Sequence, residues 1–189
     1  MNETRARILD VALDVLGENP EAGMGDIAAA AGVVRRTVYG HFPSRLDLIR
    51  TLTERAVTEM AALFTEVKAS PAEADAMWAQ VVARVWPVAH RYRALLALRR
   101  GEFGEAIHGL LGPVDELLAE IVERGQDGGV FARHLPAAIL SQVAYGAVFA
   151  IADSARSGGP QDARAATVTT LLMLGVPEAR AVALAGEQP

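Results

Sequence analysis

Apolar residues recur at helical spacing along almost the whole chain, and this periodicity restricts the possible fold more than any other feature. A first helix is predicted over about 4–18 from residues that share one face: Ile8, Val11, Ala12, Val15 and Leu16. Valine and threonine do not gather into alternating runs, so no strand is predicted. The sequence therefore predicts an all-α protein.

Further helices follow from the same periodicity and from the residues that interrupt it. Asn19-Pro20 ends the first helix, and Gly32 suits the end of a short second helix over 26–31. The remaining helices are predicted at about 35–42, 44–68, 71–86, 87–100, 113–125, 136–156 and 161–174. Pro87 is predicted to separate two of them, because proline usually ends a helix.

The longest of these helices is predicted to begin with the four residues SRLD. They form a capping box, in which Ser44 accepts a hydrogen bond from the backbone amide three residues on and Asp47 reaches back. We expect this helix to join two domains: a helix-turn-helix domain at 1–47 and a larger helical domain at 48–189.

Composition excludes several classes of protein. The chain has 189 residues and no cysteine, which excludes disulfide scaffolds, thiolate metal sites and cysteine nucleophiles. Its start lacks the apolar stretch and cleavage site of a signal peptide, so we expect a cytoplasmic protein. The segment 135–152 carries no charge, but its proline, glutamine and many small residues favour a buried helix over a membrane span.

Any nucleic-acid site must be a local patch, because the formal net charge of the chain is −5. One such patch lies between Val34 and Arg50, where four arginines and one aspartate give a local charge of +3. The patch contains the second of two short helices, which a glycine-containing turn joins to the first. That arrangement is typical of a helix-turn-helix.

The second of these short helices has two different faces at about 100° per residue. The apolar side is expected to pack on the preceding helix and carries Val34, Val38 and Phe42. The outward side carries Arg35, Arg36, Tyr39 and Gly40. An outward arginine in the major groove can form two hydrogen bonds to guanine, and a mid-helix glycine permits close approach of another molecule. A solvated basic face is the alternative interpretation.

The stretch from Thr4 to Ile49 resembles the N-terminal domain of the TetR family of transcriptional regulators. The matching elements are Arg7-Ile8-Leu9, Ala12, Asp26-Ile27-Ala28, Ala31-Gly32-Val33, Thr37-Val38-Tyr39 and His41-Phe42-Pro43-Ser44-Arg45. The resemblance implies an all-helical homodimer whose N-terminal domains bind a palindromic operator, a double-stranded DNA site. It also implies C-terminal domains that bind a small-molecule inducer, and hence a repressor that is nucleoid-associated when bound.

The resemblance also implies roles for particular residues. By position, it assigns base or groove contacts to Arg35, Arg36 and Thr37. It assigns phosphate contacts to Tyr39, His41 and Arg45. Arg5 and Arg7 would add backbone or minor-groove contacts. Three features depart from the family pattern: Gly23 and Val34 stand where Ser or Thr is usual, and Asn19-Pro20-Glu21 replaces a common Gly and aromatic pair. Val34 has no hydroxyl with which to cap a helix or contact a phosphate.

The rest of the chain contains candidates for a ligand cavity and for a subunit interface. The candidate cavity residues are Trp78, Trp86, His90, Tyr92, Phe103, His108, Gln142, Tyr145 and Phe149. An ordinary core is the competing interpretation of the aromatic residues, because pockets and cores share this composition. The candidate interface comprises the helix near 136–156, which is rich in alanine and glycine, and the segment 167–174. Its residues are Ala144, Ala147, Val148, Ile151, Thr167, Leu171 and Leu174.

No cofactor, metal site or enzymatic activity is expected. Glu105 and His108 form an isolated E-x-x-H, whereas a helical metal site needs two such motifs and further carboxylates. A cluster of arginines at 91, 93, 99 and 100 is interpreted as a solvated face, with an anionic ligand or contact with an acidic neighbour as the alternatives. Two alternatives to a DNA-binding regulator stay open: a helical enzyme, and an interaction protein that has lost DNA binding.

Overall fold

The computed structural model describes residues 3–68, 71–92, 94–95, 98, 101–154 and 162–187. These residues contain helices and no strand. The helices are α1 (Glu3–Glu18), α2 (Met24–Ala30), α3 (Arg35–His41), α4 (Arg45–Lys68), α5 (Ala74–Arg91), α6 (Gly104–Asp127), α7 (Ala137–Ser154), α8 (Ala163–Met173) and α9 (Glu178–Gly186). The predicted all-α class is confirmed.

The helix boundaries differ from the predictions at the prolines. Pro87 lies inside α5 and does not separate two helices. The apolar residues on both sides of it, including Val85 and Ala89, are fully buried, so packing compensates for the hydrogen bond that proline removes. Likewise, Pro113 lies inside α6, which begins nine residues earlier than predicted. Helix α9 was not predicted.

Two compact units make up the chain. The first comprises Met1–Val57 and Arg91–Leu110, and the second comprises Thr58–His90 and Leu111–Pro189. This division differs from a simple boundary after residue 47, because the segment Arg91–Leu110 groups with the N-terminal helices. Arg93, Arg99 and Arg100 of the predicted basic cluster lie outside the described residues.

In the first unit, α1 packs on α2 and α2 packs on α3. The buried face of α1 follows the helical period through Ile8, Ala12 and Leu16. Gly32 follows the end of α2 with a φ of 64°, in the left-handed region that glycine occupies most readily. This confirms its predicted role after the helix and sets the turn into α3.

In the second unit, α7 packs on α8 and α8 packs on α9. The loop between α6 and α7 is fixed by a close contact, since a Cβ on Gly125 would lie 2.1 Å from the Phe131 ring. Helix α7 is long and apolar enough to cross a membrane by length and composition alone, although 39% of it is buried within the protein.

Candidate nucleic-acid interface

The α2–turn–α3 segment is built without the usual side-chain cap at either helix start. Gly23 precedes α2, and its backbone amide donates to the Asp26 carboxylate at 2.8 Å. Asp26 therefore supplies the returning half of a capping box in which Gly23 has no side chain to offer. Val34 precedes α3 in an extended conformation and makes no side-chain cap hydrogen bond.

The two faces of α3 differ as predicted at most positions. Val38 and Phe42 are buried, so they anchor the helix to the rest of the unit. The exposed residues are Arg35, Arg36, Tyr39 and Gly40. Gly40 has no neighbour within 4 Å of the position that a Cβ would take, so nothing in the unit requires glycine there.

Val34 is an exception, and the prediction that it packs with Val38 and Phe42 is wrong. Its side chain is 66% exposed, the largest value for any large apolar residue in the described part of the chain. The reason is that Val34 precedes the first turn of α3, where its backbone is extended and does not follow the helical spacing.

Arg35 and Tyr39 form a pair one helical turn apart on the exposed face. The Arg35 guanidinium donates to the Tyr39 hydroxyl at 3.3 Å and lies 5.4 Å from the centre of its ring. The hydrogen bond to the Tyr39 hydroxyl raises the pKa of Arg35 above its ordinary value. The pair holds a positive charge and a hydroxyl together at the surface of α3.

The other predicted contact residues surround this face. Thr37 and His41 are partly exposed, and Arg7 is exposed. The Arg5 guanidinium lies 5.0 Å from the centre of the Phe42 ring, so the end of α3 is held against the start of α1. Arg5 and Arg7 thus extend the positive charge to α1 within the same unit.

Arg45 is occupied by contacts within the first unit. Its Nε donates to the Ala22 carbonyl at 3.1 Å, and a terminal nitrogen donates to the Pro20 carbonyl. The other terminal nitrogen lies 3.3 Å from Glu102, and the guanidinium lies 4.9 Å from the Phe103 ring centre. A role in contacting phosphate stays a prediction, because all three guanidinium nitrogens already have protein partners.

Ser44 and Asp47 begin α4 in a variant of the predicted capping box. The Ser44 hydroxyl accepts from the Asp47 amide at 3.1 Å, as expected, and also donates to the Asp47 carboxylate at 2.6 Å. Asp47 therefore reaches the Ser44 side chain. This start of α4 fixes the backbone immediately before Arg45.

Known proteins resemble the same part of the chain. Residues 8–52 match the model for bacterial regulatory proteins of the tetR family. Over 49 residues the chain is 57% identical to the HTH-type transcriptional repressor LfrR of Mycolicibacterium smegmatis, a match that covers 26% of each protein. The likeness to the TetR family is therefore shown over residues 8–52, the N-terminal part of the chain.

The TetR-family match to curated relatives spans only part of their length. The HTH-type transcriptional regulator AcrR of Shigella flexneri is 38% identical over 69 residues, which are 35% of this chain and 32% of AcrR. Solved structures show a likeness in fold that covers most of the chain. LfrR from Mycobacterium smegmatis in complex with proflavine has a TM-score of 0.68 at 26% identity, covering 91% of this chain and 94% of LfrR.

A second structural neighbour has the same overall fold. The fatty acid degradation regulator FadR from Bacillus halodurans has a TM-score of 0.75 at 20% identity, covering 93% of this chain and 96% of that protein. These TetR-family relatives are transcriptional regulators, in agreement with the prediction that the chain is not an enzyme.

The predicted ligand-cavity residues are divided between the two units of the chain. Trp78 is buried in the second unit and donates to the Thr170 hydroxyl at 3.0 Å. Tyr145 donates to the Met60 sulfur at 2.8 Å, and its ring centre lies 4.9 Å from that of Phe149. Trp86 and His90 are in edge contact with ring centres 4.7 Å apart. These contacts are typical of a packed core.

The remaining cavity candidates are distributed differently. Tyr92 and Phe103 are buried and belong to the first unit. Gln142 is exposed, so its prediction as a lining residue is wrong: on α7 it lies one position beyond buried Ser141 and faces away from the core. The His108 side chain lies outside the described structure. Whether the other residues line a ligand cavity stays a prediction.

Two open clefts are lined by residues other than the predicted cavity residues. One, of about 600 Å³, lies in the first unit and is lined by Leu46, Arg50, Glu54, Glu102, Glu105, Ala106, Gly109 and Leu110. The other, of about 400 Å³, lies in the second unit and is lined by Glu123, Gln126, Asp127, Arg133, His134, Leu135, Pro136 and Ala137. Neither cleft contains a predicted cavity residue. No group of three or more metal-binding side chains occurs among the described residues.

Five predicted interface residues do not lie at the surface. Within the chain, the buried positions are Ala144, Val148, Thr167, Leu171 and Leu174. They form the contact between neighbouring helices of one subunit, because small and apolar residues at helical spacing serve that contact as well as a subunit interface. Ala147 and Ile151 are partly exposed.

An apolar surface exists on the other side of the same two helices. On α7, Ile139 and Val143 are 49% and 48% exposed, and Gly146 and Ala150 continue the stripe. On α8, Leu172 is 44% exposed. The four-residue spacing of Ile139 and Val143 was visible in the sequence. The prediction chose the opposite face, where Ala144 and Val148 have the same spacing.

Proposed function

We propose that the chain is a ligand-responsive transcriptional regulator that binds a palindromic operator as a homodimer and acts as a repressor. The observation that carries the proposal is the outward face of α3, which presents Arg35, Arg36 and Tyr39 while Val38 and Phe42 hold the helix in place. A helix with exposed arginines fits the major groove, where arginine recognises guanine.

The relatives support this proposal at the level of the family. LfrR, which is 57% identical over 49 residues, is a transcriptional repressor. The family match over residues 8–52 includes α3 and its flanking turns. The protein would act in the cytoplasm, where its DNA target lies. Sequence-independent attraction is small because the net charge is −5, so binding would depend on local positive charge: that of Arg35 and Arg36 on α3, with Arg5 and Arg7 near the start of α1.

A homodimer would form through the exposed apolar stripes of α7 and α8. Ile139, Val143 and Leu172 are unusually exposed for residues of their size, and Gly146 would allow two helices to approach closely. Two α3 helices related by a twofold axis would then read the two halves of a palindrome.

A small-molecule inducer would weaken operator binding by favouring a different arrangement of the dimer. Proflavine is the first probe, because the LfrR structure contains it and the LfrR fold covers most of this chain. Binding of ligand and DNA must be reciprocal: if proflavine weakens operator binding by a given factor, the operator weakens proflavine binding by the same factor.

Selection from a pool of randomised duplex DNA tests the function without knowledge of the gene's location. The purified protein should enrich a palindromic site whose two halves are separated by about one helical turn of DNA or somewhat more. A variant with Arg35 and Arg36 both replaced by Ala should enrich no site. Enrichment of no sequence by the unmodified protein would favour the alternative, an interaction protein that has lost DNA binding.

A further inference from the structure

Val34 occupies a position at which its chemistry has no use within the protein. Its side chain forms no cap hydrogen bond, although a Ser or Thr there would stabilise the start of α3. It is also 66% exposed, so it gains little from burial. A residue that breaks two local rules without an intramolecular gain is a candidate for a functional contact.

The position of Val34 indicates which molecule makes that contact. It immediately precedes α3, and its carbonyl accepts the first hydrogen bond of the helix, from the Thr37 amide at 2.8 Å. The N-terminal residues of a recognition helix are the ones that reach base edges in the major groove. Arg35 and Arg36, the next two residues, are exposed and carry the charge that would bring DNA to this end of the helix.

The chemistry of Val34 then restricts its target. A valine side chain neither donates nor accepts hydrogen bonds, so it gains nothing from a phosphate oxygen or from the polar edge of guanine or adenine. Among the four standard base pairs, the apolar group displayed in the major groove is the C5 methyl group of thymine.

We propose that Val34 reads the C5 methyl group of a thymine in each half of the operator, next to the bases contacted by Arg35 and Arg36. This inference rests on the proposed function and adds a base preference to it. The contact replaces the cap hydrogen bond that a serine or threonine would make at the same place. Cytosine methylated at C5 presents the same group and would substitute for that thymine.

Replacement of single thymines by deoxyuridine in the selected DNA site removes the methyl group and leaves base pairing intact. Each half should contain one critical thymine. Replacement of that thymine in a single half should lower the affinity of the unmodified protein about fourfold, which is the effect of one buried methyl group. Replacement in both halves should cost about fifteenfold by the same measure. Other thymines should show smaller effects.

A double-mutant cycle with Val34→Ala assigns the methyl group to this side chain. The variant should bind the thymine site more weakly, and deoxyuridine at the critical position should then have no further effect. Val182→Ala is the matched control, since it shortens an exposed valine on α9, outside the proposed interface, and should leave the deoxyuridine effect intact. Circular dichroism and sedimentation of Val34→Ala should match those of the unmodified protein.

The outcomes separate the inference from the function on which it rests. If a specific site is selected but no thymine is coupled to Val34, the inference is wrong and the proposed function stands. If Val34→Ala instead changes the oligomeric state with base preference intact, Val34 belongs to a protein contact and the inference is also wrong. If no DNA site is selected at all, both fail.

Discussion

Arg45 and Glu102 form an ion pair at 3.3 Å although 57 residues separate them along the chain. The same arginine donates to the carbonyls of Pro20 and Ala22, which lie in the turn between α1 and α2. One side chain therefore ties the start of α4 to that turn and to the segment that precedes α6. Its 20% exposure places most of the side chain inside the first unit.

Replacement of Arg45 by Ala should therefore affect stability. Loss of the side chain leaves two backbone carbonyls without their donor, and the cost should be about 1–3 kcal/mol in the free energy of unfolding. Glu102→Gln removes only a partner that is 73% exposed, so it should cost less than about 1 kcal/mol. Urea denaturation of both variants measures this difference, and equal stabilities would contradict a structural role for Arg45.

Gly40→Ala should separate folding from DNA binding. A Cβ at this position meets nothing within 4 Å, and alanine favours a helix over glycine by about 1 kcal/mol, so the melting temperature should rise. Operator binding should weaken if DNA approaches the α3 backbone here. Gly109→Ala in α6, which also has open space, is the control that should leave operator affinity unchanged. Unaltered operator affinity in Gly40→Ala would argue against close approach.

Val143→Glu should dissociate the proposed homodimer. The substitution places a charge in the apolar stripe of α7, where two copies of the chain would exclude water. Val182→Glu in α9 changes another exposed valine and should leave assembly intact. Sedimentation velocity measures both. A monomeric unmodified protein, or equal assembly of the two variants, would contradict this interface.

Acid should weaken the second unit through Asp75 and Arg180. Burial raises the pKa of Asp75, but the hydrogen bond from Arg180 at 2.8 Å and the one from the Ala76 amide outweigh it, so the pKa lies below its ordinary value. A lowered folded-state pKa stabilises the protein above the unfolded value of about 4, and this contribution is lost as pH falls through the folded-state value.

Arg180→Met should reduce both the stability at neutral pH and its dependence on pH below about 4. The expected loss at neutral pH is about 1–3 kcal/mol, since the Asp75 carboxylate stays buried without its main donor. Thermal unfolding between about pH 3 and pH 7 measures both effects. A variant with the same pH profile as the unmodified protein would show that this pair does not control acid stability.

The sequence predicted best where local rules decide the structure. The periodicity of α1, the left-handed Gly32 and the outward face of α3 all follow from short-range spacing. Pro87 was misassigned because tertiary packing on both sides of it maintains α5. The Arg45–Glu102 pair could not be predicted, since no local pattern relates two residues so far apart in the chain.

Burial explains the remaining errors. In the sequence, Val34 has the helical spacing of the buried residues Val38 and Phe42, yet it lies just outside α3 and is exposed. Apolar residues occur on both faces of α7, so composition alone assigned Ala144 and Val148 to the exposed side although both are buried. A comparison of the two helical faces, position by position, would have identified Ile139 and Val143.

Base discrimination by Arg35 and Arg36 tests the central claim most directly. Each alanine variant should be titrated against the selected DNA site, single-base variants of it and scrambled DNA at several salt concentrations. At least one variant should lose about tenfold or more in operator affinity and lose its preference for guanine at one position in each half-site. If both variants keep the base preference of the unmodified protein, α3 does not read the operator and the account is wrong.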